Sequence, residues 1–300
     1  MVSDFNMDSI GGHVKKTDMM IIGHVSRDIM IDHRGSRQDL TGGAVVYASA
    51  AAARSSATVL CVTKVAEQDL HVLKDCMHRN IEWYTLPTGN TTSIKNTYLT
   101  EDKEKRKVEL LNQASAFRLD ELPDSEAGIF YCAGLFSNEI PDSFIIPLSK
   151  RGKLAVDAQG LLRCNEDGRL VFRDWKGKHS YLKHIGYFKV DAAEAEILTG
   201  ISSREEAALQ LSAWGAGEVM LTHNEEVIVC DGERIYRAPY SNRNSSGRTG
   251  RGDTTFGSYL AWRRNHSIDE SVKYATALCS MKMEEPGIFT GTIDEVLERM

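Results

Sequence analysis

The sequence predicts an α/β protein built on a mostly parallel β-sheet with helices on both faces. After residue 120, short apolar runs that suit buried strands alternate with segments of helical pattern, which is the rhythm of βαβ units. The chain has 300 residues, a length at which α/β folds often form a single unit. Because neither an internal repeat nor a low-complexity linker divides it, we expect one domain over residues 19–300.

The N-terminal half is predicted to begin with a flexible tail and to continue into strands and two helices. Residues 1–18 are assigned to the tail, since its start is polar and lacks the apolar core of a signal peptide. Apolar runs predict strands at 19–25, 29–32, 58–63 and 81–86, and helices are predicted at 44–54 and 70–79. The segment 91–117 is extended and half polar, which suits antiparallel strands with one wet face.

The C-terminal half shows the βαβ pattern most clearly. Strands are predicted at 128–134, 154–157, 187–190 and 218–222, and helices near 141–150, 192–199, 204–214, 254–265 and 271–283. The runs 227–230 and 234–238 resemble a hairpin that closes one edge of the sheet. We therefore expect a parallel sheet with one antiparallel edge.

Composition excludes several classes of protein. The net charge is −6, and the charges are mixed along the chain, which argues against nucleic acid as a partner. No apolar stretch approaches the roughly 18 residues of a membrane span, and the charge run 101–107 is expected to be a solvated loop. Cys61, Cys132 and Cys230 lie in apolar runs, which favours reduced thiols in the core. We expect a cytoplasmic protein with no membrane partner.

The most specific stretch is a glycine-rich segment at 245–257, between a predicted strand and a predicted helix. Glycines let the backbone approach a phosphate closely. If a helix starts at about Gly252, its free N–H groups and positive dipole end face that phosphate. Asp253, in the first turn, can take a proton from a hydroxyl that attacks phosphorus. A plain glycine-rich loop that caps a helix is the alternative.

This segment resembles the second signature of the ribokinase-like (PfkB) family of sugar and nucleoside kinases. The family pattern is roughly Asp-Thr-x-Gly-x-Gly-Asp, followed by Thr or Ser, Phe and a small residue. The resemblance implies that Asp253 is the catalytic base. It also implies that the amides of Gly250, Arg251 and Gly252 form an anion hole for the transferred phosphoryl group.

The resemblance covers nearly the whole chain, from about residue 19 to about residue 296. It implies a ribokinase-like fold in which a small β-sheet forms a lid over the substrate. The lid segments would be about 29–41 and about 84–116. It also leaves open a homodimer formed through that lid.

Two further matches concern the substrate. Residues 23–28 resemble the family pattern Gly-x-x-x-x-Asp at the end of the first strand, where Asp28 would bind the hydroxyls of a polyol. A surface turn is the alternative. Gly42 and Gly43 resemble the first family signature, in which a later Asn contacts the sugar in many members. Here that position is Tyr47, which either reshapes the pocket or packs in the core.

The turn after the predicted strand 154–157 carries Gln159 and Arg163. A Gln-Gly pair with Arg six residues after Asp resembles a subgroup that includes inositol-type kinases. The resemblance implies that both side chains reach the substrate or a phosphate. A strand-end turn with a surface arginine explains them equally well.

The segment 189–200 resembles the family's Asn-x-x-Glu region, with Asp191 in place of Asn. Residues three apart on a first helical turn share a face, so Asp191 and Glu194 can act together. Family analogy makes them organisers of Mg²⁺ and its waters. The alternative is an N-cap aspartate with a first-turn glutamate.

The nucleotide site departs most from the family pattern. The glycine of the usual Thr-x-Gly is missing, and arginine precedes the anion hole, where a guanidinium could pair with phosphate oxygens. The resemblance nevertheless implies ATP as the donor. Its contacts would come from Lys189, Thr222, Asn224, Arg248, Thr249, Ala277 and Cys279. A core helix explains the last two without ATP.

The sequence therefore predicts an ATP- and Mg²⁺-dependent kinase of a small polyhydroxy compound, a sugar or an inositol-like polyol. A nucleoside kinase of the same fold and a non-catalytic ligand sensor are the alternatives. The absence of the Gly-x4-Gly-Lys-Ser/Thr pattern from the sequence argues against a P-loop kinase. The identity of the acceptor is left open.

Overall fold

The computed structural model describes residues 16–100, 106–166 and 168–300, and places them in two β-sheets surrounded by helices. In chain order the strands are β1 (Lys16–Ile22), β2 (Ser26–Ile31), β3 (Arg37–Gly42), β4 (Val59–Val65), β5 (Ile81–Pro87), β6 (Thr92–Tyr98), β7 (Arg106–Asn112), β8 (Glu126–Cys132), β9 (Lys153–Asp157), β10 (Arg163–Glu166), β11 (Arg169–Phe172), β12 (Tyr187–Asp191), β13 (Glu218–Thr222), β14 (Glu226–Cys230) and β15 (Ile235–Pro239).

The helices lie mainly in the C-terminal half. The α-helices are α1 (Ala44–Arg54), α2 (Ile145–Ser149), α3 (Gln159–Leu162), α4 (Lys178–Tyr181), α5 (Ala192–Thr199), α6 (Arg204–Ala213), α7 (Arg251–Arg263), α8 (Ile268–Met283) and α9 (Ile293–Arg299). Short 3-10 helices lie at Glu67–Cys76, Leu119–Glu121, Asp142–Phe144 and Leu182–His184.

The larger sheet confirms the predicted parallel core. Over the described residues its strand order is β15-β14-β13-β12-β9-β8-β1-β4-β5, parallel from β13 to β5. The predicted hairpin, β14 and β15, closes one edge in antiparallel fashion. Met19 and Ile21 of β1 join one buried cluster, whereas Met20 and Ile22 join the cluster on the other face. A strand covered on both faces reads as a continuous apolar run, which is why it was recognisable.

One face of the large sheet carries three helices that pack on one another. α1 packs against α7, and α7 packs against α8. The alanine-rich sequence of α1 permits this close approach, since ten of its eleven residues are buried. These contacts hold the N-terminus of α7 next to α1. The glycine-rich segment therefore lies at the carboxyl ends of the large-sheet strands.

The smaller sheet forms because the chain leaves the large sheet at Gly23–Val25 and enters β2. In the described part of the chain its order is β10-β11-β7-β6-β2-β3. Asp28 therefore lies within β2, paired with Leu40 and Ile94, and not at the end of the first strand as predicted. No helix in the ranges that the structure describes is long and apolar enough to cross a membrane.

Several predicted boundaries change. The segment 84–87 belongs to β5 of the large sheet, so the second lid segment begins at Thr92, and β10 and β11 extend the small sheet in a way the sequence did not predict. The first strand begins at Lys16, three residues inside the predicted tail, while residues 1–15 and most of the charge run, 101–105, lie outside the described residues.

The predicted helix at 70–79 is instead the 3-10 helix Glu67–Cys76. Its buried residues include Asp69 with Val72 and Leu73 with Cys76, each pair three positions apart. Together the four positions follow the i, i+3, i+4, i+7 spacing of an amphipathic helix, so the pattern predicts a helix here but not its 3-10 geometry. The cysteines behave as predicted, because Cys61, Cys132 and Cys230 are buried free thiols.

Candidate active site

A cavity of about 970 Å³ lies between the carboxyl ends of the large-sheet strands and the inner face of the small sheet. The predicted site residues that line it are Asp28, Gly43, Tyr47, Gln159, Arg163, Lys189, Asp191, Thr222, Asn224, Arg248, Thr249, Gly250, Arg251, Gly252 and Asp253. The other four, Gly42, Glu194, Ala277 and Cys279, are buried outside its lining. The fold thus brings most of the scattered predicted residues to one place.

The glycine-rich segment forms the start of α7. The helix begins at Arg251, and Gly250 is its N-cap with a φ of 77° that favours glycine. The first N–H groups of an α-helix have no partner within the helix and can bind an anion. The Arg251 amide already donates to the Arg248 carbonyl at 3.3 Å, so the amides of Gly250 and Gly252 are the better candidates for an anion hole.

Asp253 lies in the first turn of α7 and lines the cavity. Burial raises the pKa of its carboxyl group to about 6. Lys189 opposes this rise and the Asp157 carboxylate adds to it. A carboxylate with a pKa near 6 is ionised at neutral pH and is still basic enough to accept a proton from a hydroxyl during attack.

Lys189 reaches the anion hole from β12. Its ammonium donates to Asp157 at 2.8 Å, and both side chains are nearly inaccessible to solvent. Burial lowers the pKa of Lys189, but the Asp157 and Glu194 carboxylates outweigh that effect and raise it above its usual range. A Cβ added at Gly252 would lie 3.1 Å from the Lys189 nitrogen, so a permanent positive charge lies beside the first turn of α7.

Asp28 lines the cavity on the side of the small sheet. Its side chain is 9% exposed and accepts a hydrogen bond from the Ser26 hydroxyl at 2.8 Å. Asn96 and Tyr98 of β6 line the cavity beside it. The sequence analysis missed these two residues, although the polar alternation of 91–117 was visible.

The Gly42–Gly43 pair allows the backbone to cross close to β2. A Cβ at Gly42 would lie 2.4 Å from an Asp28 carboxylate oxygen, and one at Gly43 would lie 2.4 Å from the His24 carbonyl oxygen. Gly43 also has a φ of 105°, which L side chains rarely adopt. Gly42 therefore supports the position of Asp28 and does not itself line the cavity.

Tyr47 combines the two roles that the sequence left open. It is 4% exposed and lines the cavity. Its ring packs against Gly250, where a Cβ would lie 2.3 Å from a ring carbon, and the Lys282 ammonium lies 5.0 Å from the ring centroid. Burial, with the nearby carboxylates of Asp28 and Asp253, raises the pKa of the Tyr47 hydroxyl, which stays protonated.

The turn after β9 brings Gln159 and Arg163 to the cavity. The backbone N–H of Gln159 donates to the Asp157 carboxylate at 3.0 Å, which fixes the turn and leaves the Gln159 side chain free of that contact. The Arg163 guanidinium lies 4.9 Å from the centroid of the Phe136 ring. Both predicted residues therefore lie where the substrate could be reached.

The part of the cavity lined by Asn224, Arg248 and Arg251 is rich in positive charge. Asn224 accepts hydrogen bonds from both arginines of the loop, 3.1 Å from Arg248 and 2.9 Å from Arg251. Ala277 and Cys279 do not extend this region, because Ala277 packs in a core cluster and the Cys279 thiol contacts the Arg251 carbonyl at 3.3 Å. Both side chains are buried outside the lining of the cavity.

Asp191 and Glu194 form a capping box at the start of α5. Asp191 accepts from the Glu194 amide and Glu194 accepts from the Asp191 amide, each at 2.8 Å. The capping interpretation of this pair is therefore confirmed. Burial raises the pKa of Glu194 to about 8, with Lys189 acting in the opposite direction.

The site offers a metal ion only partial support from the protein. In the described ranges no group of three or more His, Cys, Asp and Glu is arranged to hold one. Asp191 lines the cavity and uses one carboxylate oxygen in the capping box, whereas Glu194 is buried behind it. This arrangement fits Mg²⁺ held mainly by donor phosphates and waters, with Asp191 as the residue toward it.

Lys282 is the main site residue that the sequence analysis missed. It lies in α8, is 3% exposed and lines the cavity. A lysine within a helix whose neighbours are small or apolar is a signal that could have been read from the sequence. Asp157, which accepts the hydrogen bond from Lys189, ends the predicted strand 154–157, and the sequence predicted no role for it.

This chain resembles known proteins over most of its length. A family model described as pfkB family carbohydrate kinase matches residues 16–294. A curated relative, the cytidine kinase of Thermococcus kodakarensis, is 27% identical over 280 residues, which cover 85% of this chain and 92% of the relative.

Three solved structures share the fold. A pyrophosphate-dependent kinase in the ribokinase family, complexed with a pyrophosphate analog and myo-inositol, has a TM-score of 0.86 and 33% identity, over 94% of this chain and all of that chain. A pyrophosphate-dependent myo-inositol-1 kinase converted by mutation into a myo-inositol-3 kinase has a TM-score of 0.83 and 32% identity, over 94% and 97%. Ribokinase of Arabidopsis thaliana, complexed with ribose and ATP, has a TM-score of 0.71 and 16% identity, over 94% and 98%, which shows only a common fold.

Proposed function

The chain belongs to the pfkB family of carbohydrate kinases, and we propose that it transfers a phosphoryl group to a hydroxyl of an inositol-like polyol, with Asp253 as the general base. One observation carries the proposal. Asp253, the N-terminus of α7 and Asp28 line the same cavity, although they come from opposite ends of the chain. An acceptor held at Asp28 can therefore present a hydroxyl to Asp253, next to a phosphate held at α7.

The polar lining at the Asp28 end supports a polyol as the acceptor. Asp28, Asn96 and Gln159 offer carboxylate and amide groups that match a ring of hydroxyls. Tyr47, an aromatic ring that could stack on a nucleobase, is only 4% exposed and packs against Gly250 and Lys282. Two of the solved structures add support, one a kinase complexed with myo-inositol and the other a myo-inositol kinase. The cytidine kinase relative makes a nucleoside the second candidate.

The part of the cavity lined by Arg248 and Arg251 supports inorganic pyrophosphate as the phosphoryl donor. Arg248 and Arg251 converge on Asn224, and paired guanidiniums suit an anion with many oxygens. The Gly247 amide donates to the Met283 carbonyl at 2.8 Å, which holds the loop of these arginines against the end of α8. Two of the solved relatives are pyrophosphate-dependent. ATP, the donor that the family resemblance implies, stays the alternative.

The proposed reaction uses the groups already described. The Asp253 carboxylate accepts the proton of the acceptor hydroxyl as its oxygen attacks phosphorus, and the bond from phosphorus to the leaving phosphate oxygen breaks. The amides of Gly250 and Gly252 and the Lys189 ammonium would stabilise the charge that develops on the transferred group. Mg²⁺, when bound through the donor, would neutralise part of the phosphate charge. The small sheet would exclude water from the reacting atoms.

A donor and acceptor matrix tests the proposal. The protein is incubated with myo-inositol, ribose or cytidine, each with pyrophosphate or with ATP, and products are identified by phosphorus NMR. We expect a phosphate monoester of myo-inositol, formed faster with pyrophosphate than with ATP. Asp253→Asn serves as the control for contaminating kinases. Phosphorylation of cytidine alone would replace the polyol by a nucleoside, and no product from any pair would refute the enzyme.

A further inference from the structure

The environment of Lys282 is unusual for a lysine near the end of a helix. Such a side chain commonly caps the last carbonyls of its own helix. Here the ammonium instead donates to the carbonyl oxygens of Gly247 and Thr249, in the loop that leads into α7. Those two residues are 35 and 33 positions away along the chain.

The charge of Lys282 is not balanced by a contacting carboxylate. Within the described residues its polar contacts are the two carbonyls, and its ammonium also lies over the ring of Tyr47. Burial lowers the pKa of Lys282 to about 8, although Cys279 and Asp253 act in the opposite direction. Burying a cation without an ion-pair partner costs free energy of folding. We therefore expect the two carbonyl contacts of Lys282 to serve a purpose other than stability.

The geometry of the peptide bond shows what that purpose is. In a planar trans peptide the C=O and N–H groups point to opposite sides. The Thr249 carbonyl shares its peptide with the Gly250 amide, one of the two candidates for the anion hole. A carbonyl held by the ammonium therefore turns the Gly250 N–H away from Lys282 and polarises it as a stronger donor.

Resting on the proposed phosphoryl transfer, we propose that Lys282 is a positioning residue. Its ammonium acts as a built-in cation that orients the peptide between Thr249 and Gly250, so that the Gly250 amide faces the transferred phosphoryl group. The Gly247 carbonyl gives the same ammonium a second anchor at the start of the loop. Lys282 itself needs no contact with substrate for this role.

The proposal has a chemical consequence that a merely structural lysine would not have. Backbone carbonyl oxygens also coordinate small monovalent cations such as potassium, in place of water. If the Lys282 side chain is removed, a small cation should be able to take its place on the Gly247 and Thr249 carbonyls. The natural protein, which carries its own cation there, should not need one.

The test compares Lys282→Ala with Lys178→Ala. Lys178 is the control, because its ammonium also donates to a backbone carbonyl, that of Leu198 at 2.7 Å, but is ion-paired with Asp174 and lies outside the cavity lining. Each variant is assayed in ammonium, potassium or tetramethylammonium chloride at equal ionic strength. We expect Lys282→Ala to lose about 10²-fold in kcat, the scale of a lost oxyanion donor, with the polyol KM nearly unchanged. Ammonium or potassium should restore about tenfold, whereas Lys178→Ala should show neither effect.

Several results would overturn the proposal. A folded Lys282→Ala variant with normal kcat would do so, as would a loss in kcat that small cations leave unchanged. Activation of the natural protein by potassium over tetramethylammonium would also refute a built-in cation, and this measurement needs no variant to fold. Folding of each variant is followed by circular dichroism.

A second readout separates this proposal from the proposed reaction. Calorimetry measures the binding of inorganic pyrophosphate, or of ATP if pyrophosphate does not bind, without any polyol. We expect Lys282→Ala to bind the anion about tenfold more weakly and ammonium ions to restore the affinity. If no polyol is phosphorylated but this pattern holds, the reaction is wrong and the role of Lys282 stands. If Lys282→Ala binds the anion and turns over normally, the proposed role of Lys282 is wrong and the proposed reaction stands.

Discussion

Asp253 lies among charged groups that act on its pKa in opposite directions. Burial and the Asp157 carboxylate raise the pKa, while Lys189 and Lys282 lower it. As a result the Asp253 carboxylate is ionised at neutral pH and is still basic enough to accept a proton. The two lysines are themselves held by other groups, Asp157 and the loop carbonyls, so the charges cannot simply pair off.

Substitution of Asp253 by Asn tests its role as the base. The amide is nearly isosteric but cannot accept the proton, so we expect kcat to fall by about 10² or more. Donor affinity should change little, because the anion is bound by backbone amides. Steady-state kinetics and calorimetry measure the two quantities. Near-normal turnover in the variant would show that another group takes the proton.

The pKa of Asp253 also predicts a pH dependence. Only the ionised carboxylate can accept the proton, so the rate should rise with pH through about 6 and fall about tenfold per pH unit below it. The low residual rate of Asp253→Asn should lack this acidic limb. A natural protein whose kcat/KM stays flat down to pH 5 would contradict the assignment.

Gly42 offers a test of Asp28 that leaves the carboxylate in place. A Cβ at Gly42 would lie 2.4 Å from an Asp28 oxygen, so Gly42→Ala must displace that side chain. We expect the polyol KM to rise about tenfold or more, the scale of a lost hydrogen bond to a charged group, with donor affinity unchanged. Gly89→Ala is the matched control, because a Cβ there meets nothing within 4 Å. If both substitutions change the polyol KM equally, Asp28 does not bind the acceptor.

Helix α5 shows how one element can serve both stability and the site. Its capping box joins Asp191 and Glu194, yet of these two only Asp191 lines the cavity. Asn is as good an N-cap as Asp, so Asp191→Asn should preserve the stability of the helix while removing a charge from the site. This separates two roles that alanine would remove together.

We expect Asp191→Asn to raise the Mg²⁺ concentration needed for half-maximal activity, with a change in unfolding free energy below about 0.5 kcal/mol. Thr292→Ala is the converse control, since it breaks the capping box of α9 at a position that does not line the cavity. It should cost about 1 kcal/mol and leave the Mg²⁺ titration unchanged. If Asp191→Asn also leaves the titration unchanged, Asp191 serves only as a cap.

The arrangement of the two sheets determines which parts of the molecule can move. The centre of the large sheet is buried on both faces, whereas β2, β3 and β7 of the small sheet are only partly buried. Partly buried elements open most easily and are the ones recruited as lids. The small sheet also carries Asp28 and Asn96, so a bound acceptor would tie it to the rest of the molecule.

We therefore expect acceptor binding to slow hydrogen exchange in the small sheet, over 26–42, 92–98 and 106–112. The internal control is the centre of the large sheet, β1 and β8, where protection should already be high without ligand. Donor binding should act mainly near Asp253. If saturating polyol leaves exchange in the small sheet unchanged, that sheet does not close over the substrate.

Features encoded by neighbouring residues could be predicted from the sequence. Apolar runs located most large-sheet strands, because a strand buried on both faces must be apolar throughout. The glycine spacing predicted the start of α7 to within one residue and placed Asp253 in its first turn. This was possible because the N-terminus of a helix depends mainly on the few residues around it. The i, i+3 spacing of Asp191 and Glu194 likewise indicated that the two residues could cap α5 together.

Features that depend on residues far apart were decided only by the tertiary structure. The chain leaves the large sheet after β1, and this places Asp28 in a second sheet by pairing it with strands that lie later in the chain. Lys282 meets Gly247 and Thr249 because α8 packs on α7, and no local pattern in the sequence links them. The sequence by itself determined which groups could carry the chemistry, whereas packing determined which of them lie together, since contacts between distant segments follow from the whole fold.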